Sequence, residues 1–214
     1  MGSLHSLLVR GNGKLGESIH HFDLPAVTTC PGRSDLCEKS CYATRGRFAM
    51  PPAARRFARN LRRSRRPDFA ERMFDEIRRK GVLVLRLHVS GDFYSADYAS
   101  KCLGVMRACP RVQFYFYTRS WRVAAIAPVV WEMAGQPNCR AWLSTDEETG
   151  PPAWTPPGVR LAYLQTSEDV PQQADLTFRL RRLRGRSRVG LPMVCPNETA
   201  AGRDQGVNCG SCGH

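Results

Sequence analysis

The 214 residues contain no apolar run approaching the ~20 residues that a membrane span requires. The opening segment, Met1-Gly2-Ser3-Leu4-His5-Ser6-Leu7-Leu8, has no basic head and no sustained apolar stretch, so it does not read as a signal peptide. Membrane and secreted classes are excluded on this reading, and a cytoplasmic location is expected. No repeat at solenoid periods appears. Acidic residues are scarce, 19 Asp plus Glu against 32 Lys plus Arg, and lysine is scarcer still, at positions 14, 39, 80 and 101 only. Aromatic residues are thin among the arginine runs, with only Phe48 and Phe57, so a stacking platform for single strands is not indicated.

What is present fits a folded domain. Hydrophobic residues make up 42% and charged residues 24%, the balance of a soluble globular chain rather than a disordered one. At this length roughly 70% of the unfolded surface can be buried, so the core does not depend on staples. The formal charge of +13 attracts polyanions, and the arginines cluster in segments 45–66 and 179–188. Positions 55, 59, 62, 63 and 66 fall on one helical face if the helix persists, a stripe able to track nucleic-acid phosphates or simply to be solvated.

Strand and helix signals alternate. Segment 21–26 suits a short strand, 50–80 reads as helical, most clearly from Pro67 to Lys80 with Gly81 able to end it, and 82–89 is a buried strand rich in β-branched residues. Ser95 can cap a helix to about Ala108, 112–118 is a strand, 121–134 a helix kinked at Pro128, and 139–145 a further strand. Strands near 159–165 and 175–180 follow a proline-rich connection. This rhythm argues for parallel βαβ units: an α/β fold, a partial barrel or open parallel sheet, over residues 1–190, with a cysteine-bearing tail over 191–214 packing on it. The strands end in polar tripeptides, Ser90-Gly91-Asp92, Thr118-Arg119-Ser120, Ser144-Thr145-Asp146 and Thr166-Ser167-Glu168. In parallel sheets, ligands sit at such carboxyl ends.

Nine cysteines are many for such a chain, and the odd count with a reducing compartment speaks against a disulfide framework. Cys30, Cys37 and Cys41 share one loop, bent by Pro31-Gly32, and suit an iron–sulfur cluster with one iron open, or zinc with a fourth ligand from elsewhere. Cys195 and the glycine-flanked Cys209-Gly-Ser-Cys212 form a second metal signal, with His214 a further candidate ligand. The two sets can serve two centres or share one. Cys102, Cys109 and Cys139 read as small hydrophobes, and His88 as a packed, hydrogen-bonded imidazole.

Taken together, Gly11-Asn12-Gly13-Lys14-Leu15-Gly16, Phe22-Asp23-Leu24-Pro25-Ala26, Thr29-Cys30-Pro31-Gly32, Cys41-Tyr42-Ala43, Ser90-Gly91-Asp92-Phe93-Tyr94-Ser95, Tyr117-Thr118-Arg119-Ser120-Trp121 and the terminal cysteines resemble the bacteriophage gene product 88 family. That family looks like a relative of the radical S-adenosylmethionine enzymes. The resemblance implies a [4Fe-4S] cluster on the front cysteines, and S-adenosylmethionine met by Ser90, Gly91, Asp92, Thr118, Arg119 and Ser120. In that picture Asp92 pairs with an ammonium and Arg119 with a carboxylate. The location becomes the host cytoplasm, and the substrate carries no signature. Two departures stand out: the usual CxxxCxxC spacing is replaced here by gaps of six and three, and the family's CxxCxxC tail is represented only by Cys209 and Cys212. The alternative reading is a basic nucleic-acid-binding phage protein whose iron–sulfur or zinc site is structural or redox-sensing, without catalysis.

Overall fold

The computed structural model describes residues 6–167, 173–184 and 193–212. His214, Glu168, Arg186 and Arg188, singled out above, lie outside them. Among the described residues seven strands form one open sheet in which spatial order equals chain order: β1 (Val9–Arg10), β2 (Ile19–Phe22), β3 (Val84–Leu87), β4 (Gln113–Thr118), β5 (Cys139–Thr145), β6 (Arg160–Gln165) and β7 (Leu176–Arg179). Only β1 runs antiparallel; every pair from β2 to β7 is parallel. Beyond β7, Val194 adds a single parallel bridge to Thr177, so the tail continues the sheet.

Among the described residues seven α-helices accompany the strands: α1 (Asp35–Lys39), α2 (Pro51–Ser64), α3 (Phe69–Lys80), α4 (Ala96–Ala108), α5 (Ala127–Ala134), α6 (Ala200–Asp204) and α7 (Cys209–Cys212). The helical stretch 50–80 is two helices, the second beginning just after Pro67, which cannot donate within a continuing helix. Pro51 and Pro52 open α2, where the missing N–H groups cost nothing, and Gly81 closes α3 at φ +58°. The segment 121–134 also differs from expectation. A short turn at Ser120–Arg122 precedes α5, and Pro128 sits in the first turn of that helix rather than kinking it.

Strand alternation sorts the sheet into two unlike faces. Leu85 and Leu87 of β3, Phe114 and Phe116 of β4, and Ala141 and Leu143 of β5 pack against α3, α4 and α5 in one apolar core. Each of these leucines and phenylalanines contributes roughly 1.5–3 kcal/mol by leaving water. The opposite face carries Arg86, Tyr115, Tyr117 and Trp142, grouped with Leu15, Ile19 and Cys209 or with Leu176 and Cys195. Consecutive parallel strands joined by same-handed crossovers put their helices on one side, leaving the other face to the two chain ends. The N-terminal loop and tail meet there: the backbone N–H groups of Cys209 and Gly210 donate to the carbonyls of Lys14 and Leu15.

Candidate functional site

The carboxyl ends of β2 to β5 meet at one mouth, and Asp23 and Asp92 organise it. Asp23 follows β2 and is buried; His21 Nδ1 lies 2.7 Å and Arg56 Nη2 2.9 Å from its Oδ2, while the Val89 N–H donates to Oδ1 at 3.0 Å. Burial opposes its charge, yet His21 and Arg56 hold its carboxyl below the usual carboxylate range. Asn60 of α2 donates to the Asp23 carbonyl, so the same residue anchors that helix.

Asp92, after β3, accepts the Thr118 hydroxyl at 2.6 Å and the Phe93 N–H at 2.8 Å on Oδ1, and the Arg119 N–H at 2.8 Å on Oδ2. Burial raises its carboxyl pKa against those three donors. The Arg119 side chain turns to β5, with Nη1 2.9 Å from Asp146 Oδ2 and Nη2 donating to the Thr145 carbonyl. Ser90 donates to the Leu24 carbonyl, and Ser120 to that of Phe93. Gly91, at φ +83°, leaves no room for a side chain, since a Cβ would sit 2.6 Å from Leu24 and Thr29. The six residues expected to meet a cofactor are therefore gathered at one mouth, with their polar side chains joined to protein partners. They form a belt tying β2, β3, β4 and β5 together. Arg119 is not available to an outside carboxylate in this arrangement, and Asp92 faces amide and hydroxyl donors rather than an ammonium.

The front cysteines lie over this belt. Ser34 caps α1 by accepting the Cys37 N–H at 3.0 Å, and its hydroxyl donates to Asp146 at 2.5 Å, clamping the loop to the end of β5. Gly32 passes so close to Arg119 that a Cβ would lie 2.0 Å from its carbonyl oxygen. Arg122 donates to the Gly32 carbonyl from the end of β4. Burial pushes the Cys30 thiol up to about 12, reinforced by the negative charge of Asp92 and by Cys37 and Cys41. Burial also raises Cys37, against the pull of the Arg119 guanidinium. All three thiols are partly exposed.

The tail cysteines occupy a different neighbourhood. Cys195 is buried beside Trp142, Ala162 and Leu176, and Cys209 packs with Tyr115 and Tyr117 on the helix-free face. Among the described residues, no three Cys, His, Asp or Glu side chains are gathered tightly enough to hold a single metal ion. Cys102, Cys109 and Cys139 are buried in the apolar core, as expected of small hydrophobes. His88 is buried with Nε2 2.6 Å from the Tyr98 hydroxyl, and burial lowers its pKa to about 3.

Sequence reasoning passed over three features of the mouth. Asp23 was visible only as part of a motif. Tyr42, inside the cysteine motif, keeps its ring 57% exposed while its hydroxyl donates to the Val89 carbonyl. The Thr145 and Thr166 hydroxyls, at the ends of β5 and β6, are buried without a hydrogen-bond partner among the described residues. No spacing rule signals an unpartnered hydroxyl.

The gene product 88 profile matches residues 6–214. The chain belongs to the gene product 88 family. A curated member, the Gene 88 protein of Mycobacterium phage L5, is 26% identical over 201 residues, spanning 86% of this chain and 77% of its own length. No solved structure matches. These matches support the phage family and lend nothing to the radical S-adenosylmethionine likeness. Among the described residues, no helix of this family member is long and apolar enough to cross a membrane.

Proposed function

We propose that this gene product 88 protein holds an iron–sulfur cluster, [4Fe-4S] in type, on Cys30, Cys37 and Cys41 at the carboxyl-end mouth of its sheet. The supporting observation is the loop itself. Three soft thiol donors share it, and Ser34, Gly32 and Arg122 fasten it to β4 and β5. Cys37 and Cys41 lie close enough to Cys30 to add to the rise of its thiol pKa, and three thiolates on one loop are the donor set of a cluster with one iron open. Metal would also stabilise the thiolate forms that burial disfavours. The belt below orients the loop and keeps water from its underside. S-adenosylmethionine bound at this mouth would bring radical chemistry.

Protein purified without oxygen is expected to be brown, with iron and acid-labile sulfide in equal amounts, and Cys37→Ser is expected to lose both. A colourless chain carrying only zinc sinks the proposal. Calorimetry of reconstituted protein with S-adenosylmethionine tests the cofactor separately; no heat, and no cleavage on reduction, removes it.

A second reading, nucleic-acid binding, is favoured by a specific surface. Arg55 and Arg62 lie one above the other on the exposed side of α2, with exposed Arg45, Arg47 and the Tyr42 ring nearby in sequence. Among the described residues none of these four arginines pairs with a carboxylate, whereas Arg56 and Arg66 do. The second run is differently used: Arg182 donates to the Thr166 carbonyl and Arg184 pairs with Glu198. Affinity for DNA or RNA that falls steeply with salt supports this reading, and no binding at low salt removes it.

A further inference from the structure

Arg86 stands on the helix-free face between the front loop and the tail. Leu85 and Leu87 face the helices, so the alternation of β3 turns Arg86 to the other side. The residue is only 8% exposed. Its Nε donates to the His88 carbonyl at 3.1 Å, and its guanidinium carbon lies 5.1 Å from the Tyr117 ring centroid and 5.8 Å from that of Tyr115. Among the described residues no carboxylate pairs with it, whereas the equally buried Arg119 has Asp146. A cation withdrawn from water without an opposite charge is costly to hold, and aromatic faces return only part of that cost.

Beside it the Tyr115 hydroxyl is buried and, among the described residues, makes no hydrogen bond of proper geometry, its near neighbours being Arg86 and Cys209. Arg86, the Tyr115 hydroxyl and Cys209 are mutual neighbours, and Tyr42 is a further neighbour of the guanidinium. A planar guanidinium fork with an adjacent O–H donor is the donor set that a compact anion requires.

We propose that Arg86 and Tyr115 form an anion-binding site on the helix-free face of the sheet. The anion is a small carboxylate or phosphate from solution. In the test, the full chain, Arg86→Gln and Tyr115→Phe are unfolded thermally with phosphate or citrate at ionic strength matched by chloride. A saturable rise in Tm for the parent chain, lost in Arg86→Gln and weakened in Tyr115→Phe, is the expected result. A parent chain whose Tm does not rise overturns the site, as does a response that survives in Arg86→Gln. Should Arg86→Gln not fold, Arg86→Lys and Tyr115→Phe carry the same comparison.

Discussion

The two faces of one sheet obey different rules. On the helix-covered face β3, β4 and β5 set Leu85, Leu87, Phe114, Phe116, Cys139, Ala141 and Leu143 against the helices, and the buried His88 that follows β3 is hydrogen-bonded to Tyr98. On the other face the same three strands place an arginine, two tyrosines and a tryptophan, covered by the chain ends. The first face is built for stability, since its side chains have no use but packing. The second retains groups whose burial is costly and whose reward lies outside the fold, so chemistry is to be sought there and at the adjoining mouth.

Four variants test that division, from the largest expected effect to the smallest. Phe114→Ala, in the helix-covered core, is expected to cost about 3–5 kcal/mol in urea unfolding. A cost under 1 kcal/mol would mean this face is not the stabilising one. His88 gives a pH-dependent contrast. Its folded pKa of about 3 lies below the ordinary 6.5, so the unfolded chain binds the proton first as pH falls. Its contribution is complete above pH 6.5 and is lost toward pH 3 at about 1.4 kcal/mol per unit. The stability gap between the parent and His88→Gln should therefore narrow over that window; a constant gap contradicts a neutral, buried imidazole.

Ser34→Ala removes the cap of α1 and the clamp to Asp146, and about 1 kcal/mol is expected with faster alkylation of Cys37. Unchanged alkylation would show that the loop is not held by this clamp. Arg55→Gln with Arg62→Gln should move stability by less than about 0.5 kcal/mol while flattening the salt dependence of nucleic-acid binding. If the slope stays, the stripe on α2 is solvated and nothing more.

Much of the helix-covered face was legible in advance. Apolar runs such as 82–89 and 112–118 announce buried parallel strands, and the capping Ser95 and terminating Gly81 bound their helices as expected. The mouth was legible as a place but not as a wiring diagram. Ser90, Asp92, Thr118, Arg119 and Ser120 were grouped correctly at the strand ends, yet their partners, Leu24, Phe93 and Asp146, lie up to 66 residues away along the chain. Sequence periodicity carries which face a residue takes, not which distant atom it will meet. The same reason hid Arg86: an arginine inside an apolar strand reads as an edge or a flaw until the opposite face is seen.

Each strand after the second lies beside the one synthesised just before it. A ribosome releasing this chain thus supplies every edge with its neighbour in turn, and no strand has to wait for, or be inserted between, earlier ones. Only the terminal cysteines arrive late, onto a surface already complete, so translation that stops before Val194 should leave a soundly paired sheet with its reactive side uncovered.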